Sequence, residues 1–165
     1  MKILFIIHNC SIEPLGIMYL SAGLKKEGHV VYVLKYSRYN FLGWYLSIFK
    51  PDVVGLSMTT GQHVDLLRIA KEVKEHDSKI KVIIGGSHPT YFPEVSKNDY
   101  VDYAVRGEAD FSFPKFINNL SSGVAPADKI IDDKTLPENL DDIEFPDRSV
   151  IYQYKDYYEN GVRNI

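Results

Sequence analysis

The run Ile80-Lys81-Val82-Ile83-Ile84 constrains the fold more than any other stretch, because it is apolar at almost every position and then stops at Gly85-Gly86. A strand with one wet face alternates apolar and polar residues. A continuous apolar run of this length belongs to a strand buried on both faces, as in a parallel sheet covered by helices. Similar short runs rich in β-branched residues occupy 2–7, 30–34, 53–57 and 102–105, with 81–84 as the strand within the run just described. Between them, 14–27, 41–49, 63–76 and 111–120 carry apolar residues at helical spacing. Strands alternating with helices are the signature of βαβ units. The expected fold class is therefore α/β: a doubly wound parallel five-stranded sheet in the order 2-1-3-4-5 with helices on both faces, a three-layer αβα arrangement. Right-handed crossovers leave few other orders.

In sheets of this kind ligands bind beyond the carboxyl ends of the strands, at the switch point beside the first strand. Four loops meet at that edge. After the fourth strand comes Gly85-Gly86-Ser87-His88-Pro89-Thr90. Its glycines either make a tight turn or let a bulky ligand lie against backbone with no Cβ in the way. After the third strand, Ser57-Met58-Thr59-Thr60-Gly61-Gln62-His63 offers several hydroxyls in front of a helix. At least one can cap that helix through its free N–H groups, and the others exceed what capping needs. The loop after the first strand, His8-Asn9-Cys10-Ser11-Ile12-Glu13-Pro14-Leu15-Gly16, is long and polar and sets Pro14 near the first helical position, where proline is tolerated. After the fifth strand, Arg106-Gly107-Glu108-Ala109-Asp110 reads as a surface ion pair, a capping acid or a ligand contact.

Several functions are disfavoured by what these loops lack. A dinucleotide site needs G-x-G-x-x-G after the first strand, and only Gly16 is present there. A P-loop is absent, Asn9-Cys10-Ser11 is a poor phosphate loop, and Ser57 rather than an acid ends the third strand, which argues against a phospho-accepting receiver. A net charge of -3 leaves no basic footprint for nucleic acid. The apolar start of the chain is far shorter than a membrane span and carries no signal-peptide cleavage pattern, so a cytoplasmic protein with no membrane partner is expected. Cys10 is the sole cysteine, which excludes an internal disulfide and any multi-cysteine zinc or iron–sulfur site within the chain. His88 and Glu108 as a stand-alone acid and base have no nucleophile or metal cluster beside them, and no catalytic or metal-binding residue is assigned.

From Ser121 the composition turns rich in Ser, Pro and Asp, so the expected organisation is a ligand-binding domain over 1–122 and a linker and tail over 123–165. Tyr152, Tyr154, Tyr157 and Tyr158 follow without a clear period and either dock back on the domain or pack on a neighbour.

Taken jointly, several motifs resemble the cobalamin-binding domain at the N-terminus of many radical S-adenosylmethionine enzymes. They are Glu13-Pro14-Leu15-Gly16 through Leu20-Ser21-Ala22-Gly23-Leu24, Gly28-His29-Val30-Val31, Asp52-Val53-Val54-Gly55-Leu56-Ser57, Gly85 to Thr90, and Val101 to Glu108. The resemblance covers about 1–150 and includes Leu140-Asp141-Asp142-Ile143-Glu144-Phe145-Pro146. It implies a flavodoxin-like, Rossmann-like domain that takes the nucleotide tail of cobalamin between its strand-end loops and presents the corrin face to a second domain. Ser57 and Thr59 then line the tail pocket, with Met58 and Thr60 in the same loop, and Gly85-Gly86 lies against the nucleotide. Ser87, His88, Pro89 and Thr90 sit near that channel, Gly107 and Glu108 match a family Gly-Glu pair, and Asn9, Ser11, Pro14, Leu15 and Gly16 supply the loop after the first strand.

Two departures bear on mechanism. The related domains of methionine synthase and the cobalamin mutases carry Asp-x-His-x-x-Gly after the first strand, and this chain does not. That implies base-off binding with no histidine on cobalt, leaving cobalt to water, a backbone group or a loop side chain; His8 reads as a strand-end histidine making ordinary hydrogen bonds, with an improvised cobalt ligand as the alternative and a Cys10 thiolate a weaker one. The radical chemistry of the family also needs a Cys-x-x-x-Cys-x-x-Cys motif to hold an iron–sulfur cluster. The expectation is that the cluster and S-adenosylmethionine belong to a C-terminal radical S-adenosylmethionine domain in cis, and that this chain is an excised or truncated part. The resemblance leaves the parent's small-molecule substrate open between a methyltransferase reaction and one like that of magnesium-protoporphyrin IX monomethyl ester cyclase. A second expectation is the same fold kept as a substrate-docking or interaction domain without cobalamin.

Overall fold

A computed structural model describes residues 1–8, 13–36, 41–132, 139 and 143–152. Among the described residues six parallel strands form one sheet in the order β2-β1-β3-β4-β5-β6. They are β1 (Lys2–His8), β2 (Val30–Tyr36), β3 (Val53–Ser57), β4 (Lys81–Gly85), β5 (Tyr103–Val105) and β6 (Ile130–Ile131). The helices are α1 (Leu15–Lys26), α2 (Leu42–Phe49), α3 (His63–His76), α4 (Ser87–Tyr91), α5 (Ser112–Ser121) and α6 (Ser149–Tyr152), with a 3-10 turn at Pro93–Lys97. Among the described residues no helix is long and apolar enough to cross a membrane.

The pleat divides the core cleanly. Ile3, Phe5, Val33, Val53, Ile83 and Val105 point to the face covered by α1 and α5, where Ile17, Met18, Phe113 and Phe116 meet them. Leu4, Ile6, Val54, Leu56, Val82 and Ile84 point to the other face, under Leu46 of α2 and Leu66, Ile69 and Val73 of α3. Side chains of period two buried on both sides explain the continuous apolar runs. The chain leaves β1 in one direction to reach β2 and returns past it to β3, so the switch point falls between β1 and β3.

Two features depart from the sequence expectation. The sheet has a sixth strand: Ile130 and Ile131 pair in parallel with Ala104 and Val105, inside the stretch read as a linker. Further on, Val150 and Ile151 are buried in the core beside α1. Asp147 fastens this segment. It accepts hydrogen bonds from Ser21 at 2.7 Å and Ser149 at 2.5 Å and pairs with Lys25 at 2.5 Å, while its N–H donates to Met18 O. Burial on its own would raise the Asp147 carboxyl, but these three donors and the Lys25 charge outweigh it and hold the group at about 2. Tyr154, Tyr157, Tyr158 and Leu140-Asp141-Asp142 lie outside the described residues.

Candidate functional site

A crevice of about 240 Å3 opens at the carboxyl edge of the sheet, on the α1 and α5 side. Its floor is apolar, made by Phe5 of β1, Ile83 of β4, Val105 of β5, Ile17 and Leu20 of α1 and Phe113 of α5. Its rim is backbone-rich: Pro14, Leu15 and Gly16 where α1 begins, Ser57 at the end of β3, Gly85 and Gly86 after β4, and Gly107 to Asp110 after β5.

Glycine makes the crevice possible at two places where a side chain would not fit. Within β3, a Cβ on Gly55 would stand 2.6 Å from two ring carbons of Phe5, so the bare backbone makes room for the Phe5 ring. At Gly86 the backbone has φ 96 and ψ -168, a region that L residues avoid, and a Cβ would stand 2.8 Å from Met58 O. That conformation turns β4 into α4 while Met58 N–H donates to Gly85 O and His88 N–H to Met58 O, closing the ends of β3 and β4 against each other.

The rim after β5 is held from below. Thr90 Oγ1 donates to Gly86 O at 2.8 Å and accepts from Gly107 N–H at 3.1 Å. Arg106 donates to Thr90 O through Nε and one terminal nitrogen, both at 3.3 Å, and pairs with Asp132 at 3.1 Å. On the rim, burial first and the neighbouring Glu108 charge second push the Asp110 carboxyl up. Among the described residues, the polar side chains lining the crevice are the Ser57 hydroxyl and the Glu108 and Asp110 carboxylates, which suit ligand hydrogen-bond donors.

The structure separates the sequence-predicted residues into two sets. Pro14, Leu15, Gly16, Ser57, Gly85, Gly86, Gly107 and Glu108 come together around the crevice. Met58, Thr59, Thr60, Ser87, His88, Pro89 and Thr90 do not line it. Met58 is fully buried in the opposite half of the core, and Thr59 and Thr60 are exposed. His88 is packed in a ring column, 4.1 Å from the His63 centroid and 5.1 Å from that of Phe92, and is hydrogen-bonded to Thr60 Oγ1 at 3.1 Å. Burial first, and His63 second, push its imidazole below the ordinary value. Asn9 and Ser11 lie outside the described residues. Phe5, Gly55, Ile83, Val105 and Phe113 are among the lining residues that loop-by-loop reading missed, as are Ile17 and Leu20 of α1. A glycine inside a buried strand was the one available signal, because it marks close approach of another group.

Comparison with known proteins fits this geometry. The B12 binding domain family matches residues 9–117. A protein of Pyrococcus horikoshii named as an uncharacterized methyltransferase is 30% identical over 115 residues, covering 67% of this chain and 25% of its own length. The cytidylyl-2-hydroxyethylphosphonate methyltransferase of Streptomyces wedmorensis is 30% identical over 138 residues, covering 68% of this chain and 25% of its own length. The chain thus spans about a quarter of the length of either relative. With a sheet order, a carboxyl-edge crevice and a family match over the same residues, the chain belongs to the B12-binding domain family.

Proposed function

We propose that this chain is the cobalamin-holding module of a methyl-transfer protein of the radical S-adenosylmethionine type, and that it takes the cofactor base-off with its nucleotide tail in the carboxyl-edge crevice. The observation that carries the reading is the shape and chemistry of that crevice. At about 240 Å3 it falls just below the roughly 300–1,000 Å3 of pockets that enclose a whole small molecule. A flat heteroaromatic base fits such a slot, and a corrin ring does not. Phe5, Ile83, Val105 and Phe113 supply apolar faces for the base, and the bare backbone at Gly85 and Gly86 lets the nucleotide approach closely. Ser57 and the Glu108 and Asp110 carboxylates at the rim accept or share hydrogen bonds with ribose hydroxyls.

Cobalamin supplies a cobalt centre that carries and releases a methyl group. The residues of this chain bind and orient the tail, exclude water from the base, and leave the corrin outside the crevice, facing whatever domain supplies substrate. In this reading the iron–sulfur cluster, S-adenosylmethionine and the small-molecule substrate are handled by a C-terminal domain. The two methyltransferase-named relatives, each about four times as long as the matched stretch, support the methyl-transfer setting.

The test is retention of corrinoid through gel filtration. Protein mixed with hydroxocobalamin should elute coloured with equimolar cobalt, whereas cobinamide, which lacks the nucleotide tail, should separate from it. Colourless protein would overturn the reading in favour of an interaction domain that keeps the fold without the cofactor. Equal retention of both corrinoids would overturn the placement of the tail.

A further inference from the structure

We infer that Thr90 is a positioning residue for the crevice, a single hydroxyl that clasps the lip after β4 to the lip after β5. The inference builds on the proposed cobalamin reading, since it is the tail that the lips would grip. Threonine bonding back to the carbonyl four residues earlier is common in helices, and the bond from Thr90 Oγ1 to Gly86 O at 2.8 Å is of that kind. The second bond is not. Gly107 N–H, from a different loop, donates to the same oxygen at 3.1 Å. A hydroxyl has one proton and two lone pairs, so both bonds form together.

The location gives the clasp its importance. The β4–β5 ladder ends at Ile84 and Ala104, so the separation of Gly86 from Gly107 is set by loop contacts beyond the ladder. Both glycines line the crevice and Thr90 does not. Arg106 reinforces the same junction from below, donating twice to Thr90 O and reaching Asp132 just past β6. The residue that sequence places beside the ligand thus acts on it at one remove, by fixing how far apart the two glycine lips stand.

The experiment compares wild type, Thr90→Val and Thr90→Ser in two measurements. Amide exchange of Gly107, followed by NMR, should be slow in wild type and Thr90→Ser and about tenfold faster in Thr90→Val, which keeps the shape of threonine and loses the hydroxyl. Titration with hydroxocobalamin should give a Kd about tenfold weaker for Thr90→Val and within about threefold of wild type for Thr90→Ser. Cobinamide affinity should stay the same in all three. Unchanged Gly107 exchange in Thr90→Val overturns the clasp, and unchanged cobalamin affinity overturns its positioning role. Equal loss of cobalamin and cobinamide also overturns that role, since the effect would then not be on the tail. Should Thr90→Val lose its circular dichroism signature of folding, Thr90→Ala is read by the same two measurements. Wild type that binds no cobalamin defeats the proposed function, and Gly107 exchange then still decides the clasp by itself.

Discussion

Replacing Gly86 with alanine sets a methyl carbon 2.8 Å from Met58 O and 3.2 Å from Met58 N, both backbone atoms that no rotamer change can move away. It also forces an L residue to φ 96. Backbone strain of this kind costs about 1–3 kcal/mol. Overpacking against atoms that must shift costs about 1–3 kcal/mol more, for a total of roughly 2–6 kcal/mol. In a chain of this length each kcal/mol lowers Tm by about 2–4 °C, so thermal unfolding should move down by roughly 5–20 °C. Gly85→Ala is the internal control. The nearest atoms to a Cβ there belong to Val105, at 3.9 Å, which is ordinary contact, and Gly85 has no left-handed backbone. Its cost should stay within about 1 kcal/mol, while the added methyl group narrows the crevice and weakens hydroxocobalamin binding. Thermal unfolding by circular dichroism and a cobalamin titration on both variants read the two effects separately. Gly86→Ala melting within about 2 °C of wild type, or Gly85→Ala falling as far as Gly86→Ala, would show that contact with Met58 and the left-handed backbone at Gly86 do not set the cost.

Three other predictions test separate parts of the account. Gly55→Ala pushes the Phe5 ring, 2.6 Å from the new carbon, into the crevice, so it should cost about 1–3 kcal/mol and impair cobalamin binding at the same time; unchanged binding would contradict the crevice floor. Asp147 titrates at about 2 instead of 3.8, so its contacts contribute about 2 kcal/mol of stability. Because the folded value is the lower one, that contribution is full above about pH 4 and is lost as pH falls through about 2. Asp147→Asn should therefore lower Tm by about 4–8 °C at neutral pH and flatten the acid limb of a urea-unfolding series. Ile151→Ala removes a fully buried side chain and should cost about 2–5 kcal/mol, measured by the urea midpoint, if this short helix belongs to the core.

Much of the fold was legible because buried strands and amphipathic helices carry their own periods. The expected 53–57 and 63–76 coincide with β3 and α3, whose apolar residues are bounded by Pro51-Asp52 and Gly61 on one side and by Asp77 on the other. What was missed has no local period to read. Ile130-Ile131 becomes a strand only because β5 offers an open edge, and the Asp-rich surroundings give no sign of it. Ser87–Tyr91 is too short for a helical stripe and has Pro89 inside it, tolerated in a first turn whose N–H groups have no helical partner. Val150 and Ile151 look like tail residues until Asp147 docks the segment on α1.

The candidate crevice was legible to a similar degree. Gly85, Gly86, Ser57, Gly107 and the Pro14-Leu15-Gly16 turn could be found by asking which loops end strands at the carboxyl edge. The floor could not, since Phe5, Ile83 and Phe113 are buried core residues and nothing in their local pattern marks them as the ones beneath a crevice. His88 and Thr60 went the other way. Polar residues in a strand-end loop look like ligand contacts, yet here His88 stacks on His63 at the start of α3 and is hydrogen-bonded to Thr60, away from the crevice.

The most direct test of the central claim is the electron paramagnetic resonance spectrum of cob(II)alamin bound to the protein. With the tail base drawn into the crevice and no histidine on cobalt, the spectrum should show cobalt hyperfine lines without nitrogen superhyperfine splitting. Lines split into triplets by an axial nitrogen, from the tail base or from a histidine, would contradict it.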